Sequence, residues 1–188
     1  MDKRNEFERL ALPHLNPLYN TAVRLLRSTE DAHDLVQETF LRAYRTFANF
    51  EAGTNAKAWL FTILYSVFVN RYRKERREPG SVSLEGLEEG FLYSLGAGEK
   101  GRDLEVLRDA DLNWNSPEVD EALRRLQEEF RAAVLLVDVE GLSYEEAAGV
   151  LSCPVGTLRS RLFRARQQLF VELHSFARKM GYLKNSSL

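Results

Sequence analysis

"GLSYEEAAGVLSCPVGTLRSRLFRARQQL", residues 141–169, reads as two helices joined by a tight turn. Ser143 stands where an N-cap belongs, and Glu146 three residues later completes the pattern in which a hydroxyl and a carboxylate each satisfy a helix-terminal N–H. A short helix is predicted over 144–151. Ser152 and Cys153 make the turn, and Pro154, lacking an N–H that a first helical turn would leave unpaired anyway, opens a longer helix. This is the helix-turn-helix layout.

Stepping about 100° per residue along the longer helix gathers Leu158, Leu162, Ala165 and Leu169 into one apolar stripe. Thr157, Ser160, Phe163 and Arg164 fall on the other side, with Arg159 and Arg166 along one edge and Arg161 along the other. Residues 155–168 carry four arginines and no acid. A phenylalanine aimed away from the core, between serine and arginine, suits a major groove better than water. There an arginine can bridge guanine O6 and N7, a hydroxyl can reach base or phosphate, and a flat ring can meet a thymine methyl. Edge arginines would grip phosphate and set register.

The rest of the chain does not share this charge. Residues 1–77 hold 13 bases and 9 acids, 78–117 hold 3 and 9, and 118–188 hold 10 and 10, so the net charges are +4, −6 and 0. The acidic middle stretch is rich in Gly and Ser, is bounded by Pro79 and Pro117, and reads as a linker between two domains. Its "GAGEKG" (96–101) has the spaced glycines of a phosphate loop, but no apolar strand precedes it, so it reads as flexible chain. Leu84, Leu87, Phe91, Leu92, Tyr93 and Leu95 are unusual for solvated linker and imply that it docks on something.

Before the linker the pattern is helical throughout, and the fold class is all-α. Pro17 behind Asn16 starts one helix, ending near Arg27, and Ser28 with Asp31 caps the next. Ala32, Leu35, Val36, Thr39, Phe40, Ala43, Tyr44 and Phe47 form its core face. Asp34, Gln37, Glu38, Leu41 and Arg45 point to the other side, so a leucine stands among polar neighbours. A third helix begins after Gly53, capped by Thr54 or Asn55, and carries two apolar stripes: Leu60, Ile63, Leu64, Val67, and Phe61, Tyr65, Phe68, Tyr72. It ends in "RYRKERR" (71–77), where five bases follow aromatics, a composition suited to phosphates and unstacked bases.

Several classes are excluded. No apolar run approaches the roughly 20 residues of a membrane span, and the charged start lacks a secretory core, which predicts a cytoplasmic protein without membrane insertion. Cys153 is the sole cysteine, and His14, His33 and His174 lack ligand spacing, so no disulfide, metal or cofactor is expected. No paired acid and base or activated nucleophile supports an enzyme.

The stretches "DAHDLVQETFLRAYRTFANFEAGTNAKAWLFTILYSVFVNRYRKERR" and "LQEEFRAAVLLVDVEGLSYEEAAGVLSCPVGTLRSRLFRARQQL" are similar, in order and over nearly the whole chain, to conserved regions 2 and 4 of bacterial sigma factors of the extracytoplasmic-function class (group 4). "AGTNAKAWLFTIL" with "YRKERREP" further resembles members that answer oxidative or envelope stress. The resemblance implies two small helical domains, a region 2 bundle (1–78) and a region 4 helix-turn-helix (118–177), joined by a flexible acidic linker (79–117) and followed by a tail (178–188). It implies that Asp34, Gln37, Glu38 and Leu41 hold the clamp helices of the polymerase beta-prime subunit, and that the beta flap is a second contact on core RNA polymerase. Asn55, Lys57 and Trp59 would open the minus-ten promoter element and hold a flipped base, with Arg71, Arg73 and Lys74 on the DNA backbone. Thr157, Arg159, Ser160, Phe163 and Arg164 would read the minus-thirty-five element, Arg161 and Arg166 assisting at its edges. The linker would lie in the RNA path, its carboxylates imitating nucleic acid, and an anti-sigma factor is the implied inhibitor.

Two departures stand out. His33 replaces an acid common in the family, which would weaken one polymerase contact or make it sensitive to pH. "LLVDVEG" (135–141) is acidic where some members carry a DNA-gripping arginine. A stand-alone helix-turn-helix regulator, its first domain sensing a ligand or dimerising, is the other reading the residues allow.

Overall fold

The computed structural model describes residues 3–70 and 113–179, apart from the side chains of 174–179. The linker docking residues, "GAGEKG", Arg71, Arg73, Lys74, Tyr72, His174 and the C-terminal tail lie outside what is described. Among the described residues every regular element is helical.

The first body comprises α1 (Lys3–Ala11), α2 (Leu15–Leu26), α3 (Thr29–Thr46) and α4 (Ala56–Phe68). Arg27, at φ 60°, ends α2 in the left-handed conformation, its N–H donating to Val23 O. Ser28 Oγ then accepts from Asp31 N at 3.2 Å and starts α3, as its spacing predicted. Thr39, fully buried in mid-helix, donates its hydroxyl to Leu35 O at 2.7 Å and so leaves no polar group orphaned. Leu18, Leu26, Leu35, Leu60, Phe61 and Leu64 are buried, each worth about 1.5–3 kcal/mol of transfer free energy.

The N-terminal helix α1 is not legible in the charged opening of the chain, yet it supplies a core ring. Phe7 meets Phe40, Tyr44 and Phe47 edge-on at 6.3, 5.3 and 5.4 Å. Tyr44 departs from its expected core position: it is 41% exposed, at the margin of this cluster, with Lys3 Nζ 5.4 Å above its ring. One helix face cannot all be covered by two neighbours, and Tyr44 lies at its rim.

The second body comprises α5 (Pro117–Arg125), α6 (Glu128–Val134), a π-helical turn (Leu135–Val139), α7 (Tyr144–Val150) and α8 (Val155–Lys179). Ser116 Oγ caps α5 by accepting from Val119 N at 3.2 Å. The π turn closes with Glu140 N donating to Leu135 O, and the wider winding shifts the phase of Asp138 and Glu140 relative to α6. Buried apolar residues of both bodies belong to one continuous cluster, so the two helical domains pack against each other.

Candidate nucleic-acid interface

The helix-turn-helix is built as its local chemistry requires. Ser143 Oγ accepts from Glu146 N at 3.1 Å while Glu146 Oε2 accepts from Ser143 N at 2.8 Å, a complete capping box. Ser152 takes φ 50° in the turn, and Leu158 N donates to Pro154 O at the start of α8. Leu158, Leu162, Ala165 and Leu169 are all buried, the predicted stripe.

On the opposite side Arg159 is exposed, and Thr157, Ser160, Phe163 and Arg164 are half-buried. Ser160 Oγ donates to Thr157 O at 2.9 Å, and the Arg159 guanidinium rests 5.8 Å from the Tyr144 ring centre. The other two arginines are committed inside the domain. Arg161 pairs with Glu129 at 3.3 Å, and Arg166 forks onto Asp138 through Nη2 and Nε at 2.6 and 3.1 Å. Burial works against the Arg166 charge, but hydrogen bonds and attraction from Asp138 outweigh it and hold the guanidinium above its ordinary range.

In the first body Gly53, at φ 95°, makes the turn before α4. Asn55 is the cap: its Oδ1 accepts from Lys57 N and Ala58 N at 3.0 and 3.3 Å. Trp59 packs on Phe50 at 4.9 Å and on Phe47 at 6.3 Å, and Phe47 and Phe50 stack within 9° of parallel. Beside this aromatic group is an open pocket of about 440 Å³, lined in part by Phe47, Phe50, Gly53 and Thr54 and by Lys3, Glu6 and Arg9. The structure thus brings Asn55, Lys57 and Trp59 to one end of α4.

Asp34, Gln37 and Leu41 are exposed on α3, Leu41 at 47%, and Glu38 accepts from Arg42 Nε at 2.7 Å. His33 is exposed, with its ring 4.7 Å from that of Tyr19. The two acids of "LLVDVEG" have partners within the chain: Asp138 holds Arg166, and Glu140 meets Lys57 Nζ at 2.8 Å. Glu146 also reaches the first body, accepting from Asn55 Nδ2 at 2.7 Å. Sequence reasoning assigned neither Glu140 nor the second contact of Glu146. The acidity of 135–141 was the visible signal for Glu140, but its partner Lys57 lies 83 residues away, and Asn55 lies 91 residues from Glu146. Among the described residues no cluster could hold a metal ion, and no helix is long and apolar enough to cross a membrane.

Comparison with known proteins places this geometry. The Sigma-70 region 2 family matches residues 10–78 and the Sigma-70, region 4 family matches residues 116–169. The chain is 37% identical over 163 residues to the ECF RNA polymerase sigma factor SigE of Mycolicibacterium smegmatis, covering 87% of this chain and 60% of that relative. It is 37% identical over 153 residues to EcfG of Rhodopseudomonas palustris (81% and 77% covered). To the RNA polymerase sigma-H factor of Pseudomonas aeruginosa it is 35% identical over 184 residues (95% and 91%). Among solved structures, the sigma factor RpoE in complex with the anti-sigma factor NepR from Bartonella quintana superposes with TM-score 0.64 at 30% identity, covering 90% of this chain and 97% of that one. CnrH in complex with the cytosolic domain of CnrY gives 0.60 at 25% identity, with 92% and 90% covered.

Two helical domains, the second a capped helix-turn-helix, define a transcription initiation factor. The chain belongs to the extracytoplasmic-function (ECF) class of RNA polymerase sigma factors, the alternative sigma factors, and the stand-alone regulator is not favoured.

Proposed function

We propose that the chain is a cytoplasmic promoter-specificity subunit with no chemistry of its own, which binds core RNA polymerase, places its two domains on two promoter elements and helps melt one. The domains divide at 1–78, 79–117 and 118–177. The observation that carries the reading is the two-sidedness of α8: a buried Leu158–Leu162–Ala165–Leu169 seam behind, and Thr157, Arg159, Ser160, Phe163 and Arg164 in front. Those five residues read the minus-thirty-five element by base and phosphate contacts. Arg161 and Arg166, paired with acids, chiefly hold the reading helix in place.

Asn55, Lys57 and Trp59, with the pocket beside them and Arg71, Arg73 and Lys74 following, take the separated minus-ten strand. Flipping a base out costs a few kcal/mol of stacking, which an aromatic pocket and backbone contacts offset. Asp34, Gln37, Glu38 and Leu41 dock on the beta-prime clamp helices, the second domain takes the beta flap, and an anti-sigma factor competes for these surfaces. An anti-sigma factor, NepR, is present in the solved complex of the RpoE relative.

The test is transcription by purified protein with core polymerase on a library of genomic fragments. Selected promoters should appear only with the protein present, and Arg164→Ala should reduce discrimination among them. Strong binding of duplex DNA by the protein alone, with no effect on polymerase, would restore the stand-alone regulator.

A further inference from the structure

Two of the arginines on α8 spend their donors on acids, Arg161 on Glu129 and Arg166 on Asp138. Arg159 differs. Among the described residues its guanidinium meets a ring rather than a carboxylate, Cζ lying 5.8 Å from the centre of Tyr144, and the side chain stays exposed. Tyr144 is itself well anchored. It is the first residue of α7, directly after the Ser143 cap, and its half-buried ring packs against the apolar core. Its hydroxyl oxygen accepts from Arg166, the guanidinium already forked onto Asp138. One aromatic side chain therefore links the anchored arginine to the exposed one.

We infer that Tyr144 is a positioning residue for promoter reading: its ring holds the Arg159 guanidinium so that the donor fork reaches one guanine of the minus-thirty-five element. The inference rests on the minus-thirty-five reading of Arg159 proposed above. A ring face attracts a cation without accepting its N–H groups, so the fork that pairs with guanine O6 and N7 stays free. A carboxylate at that place would take the fork, as Glu129 and Asp138 do for Arg161 and Arg166. Arginine also has many rotamers, and ordering it on DNA costs affinity. A side chain already resting on a ring has given up part of that freedom before DNA arrives. The gain is modest, since a cation–π contact at an exposed site is worth roughly two- to fivefold in an equilibrium constant. It falls on discrimination at one base pair rather than on binding as a whole.

The test uses holoenzyme reconstituted with core polymerase, selecting from a promoter library randomised across the minus-thirty-five element, with the bound fragments sequenced. Arg159→Ala should erase the preference for guanine at one base pair. Tyr144→Leu should weaken the preference at that same pair about two- to fivefold and leave the other positions as they were. Tyr144→Phe, which keeps the ring and loses only the bond to Arg166, should restore it. The double variant Arg159→Ala with Tyr144→Leu should lose no more at that pair than Arg159→Ala alone. A merely structural tyrosine would weaken every position together, and that result overturns the positioning role. So does a Tyr144→Phe that behaves like Tyr144→Leu, because the effect would then belong to the hydroxyl. Nuclear magnetic resonance of the unaltered chain tests the contact with no change at Tyr144: the Arg159 side-chain protons, assigned by comparison with Arg159→Lys, should carry a ring-current shift, and unshifted protons overturn the contact. The minus-thirty-five reading is judged by Arg159→Ala alone. If no position loses a preference for guanine, that reading of Arg159 fails and the positioning role with it; if one does and Tyr144→Leu leaves it intact, only the positioning role falls.

Discussion

Asp138, in the π turn, accepts two hydrogen bonds from Arg166, in the middle of α8, at 2.6 and 3.1 Å, and the two side chains are only 14% and 16% exposed. The pair ties α8 to the layer behind it, so an arginine that the helical wheel placed toward DNA also has a partner within its own domain.

Removing one partner leaves a sheltered charge unmatched. Asp138→Ala should therefore destabilise the protein by about 2–3 kcal/mol in urea unfolding, whereas Arg164→Ala should stay within about 0.5 kcal/mol, as a surface change does. Promoter discrimination should show the opposite order, with Arg164→Ala the larger loss. Equal stability losses would return Arg166 to the DNA-contacting set.

Leu41→Asp should abolish most core polymerase binding in a pull-down, with unfolding nearly unchanged, because the side chain is 47% exposed and contributes little to the core. Leu35→Ala, earlier on the same helix and fully buried, should instead cost about 2–5 kcal/mol of stability. Core binding that survives Leu41→Asp would remove α3 from the polymerase interface.

The capping box of α7 is testable through Ser143→Ala, which strands the Glu146 N–H and should cost about 1 kcal/mol. Minus-thirty-five binding by the holoenzyme should weaken with it, since α7 sets the entry to α8. A neutral result in thermal unfolding would show that tertiary packing alone holds this turn.

His14 gives the folded protein a pH dependence. Burial and the nearby Lys57 ammonium lower its pKa below the ordinary 6.5, with Glu140 pulling the other way. A depressed histidine favours the neutral form in this arrangement, so its stabilising contribution is present above pH 6.5 and is lost as pH falls through the lowered value. Hydrogen bonds from Ser143 N and Asn55 likewise lower the pKa of Glu146, whose contribution is present above 4.5 and fades only in stronger acid. Acidification from about pH 7.5 to about pH 5.5 should therefore lower stability in urea unfolding through His14 first. His14→Gln should flatten that dependence; an unchanged profile would place the titrating group elsewhere.

The sequence by itself determined whatever is settled within four residues along the chain. Ser28, Ser116 and Ser143 cap the helices they precede, because a hydroxyl reaches only its own N3 N–H, and the α8 seam follows from helical periodicity. The family resemblance and the clustering of Asn55, Lys57 and Trp59 at one helix start were legible for the same reason. Tertiary structure decided the rest: that Phe7 of an unforeseen helix leaves Tyr44 at the rim, that Arg161 and Arg166 serve Glu129 and Asp138, and that Glu140 and Glu146 rest on Lys57 and Asn55. A charge carries no mark of its partner, and which acid meets which base across tens of residues is fixed only when the helices pack.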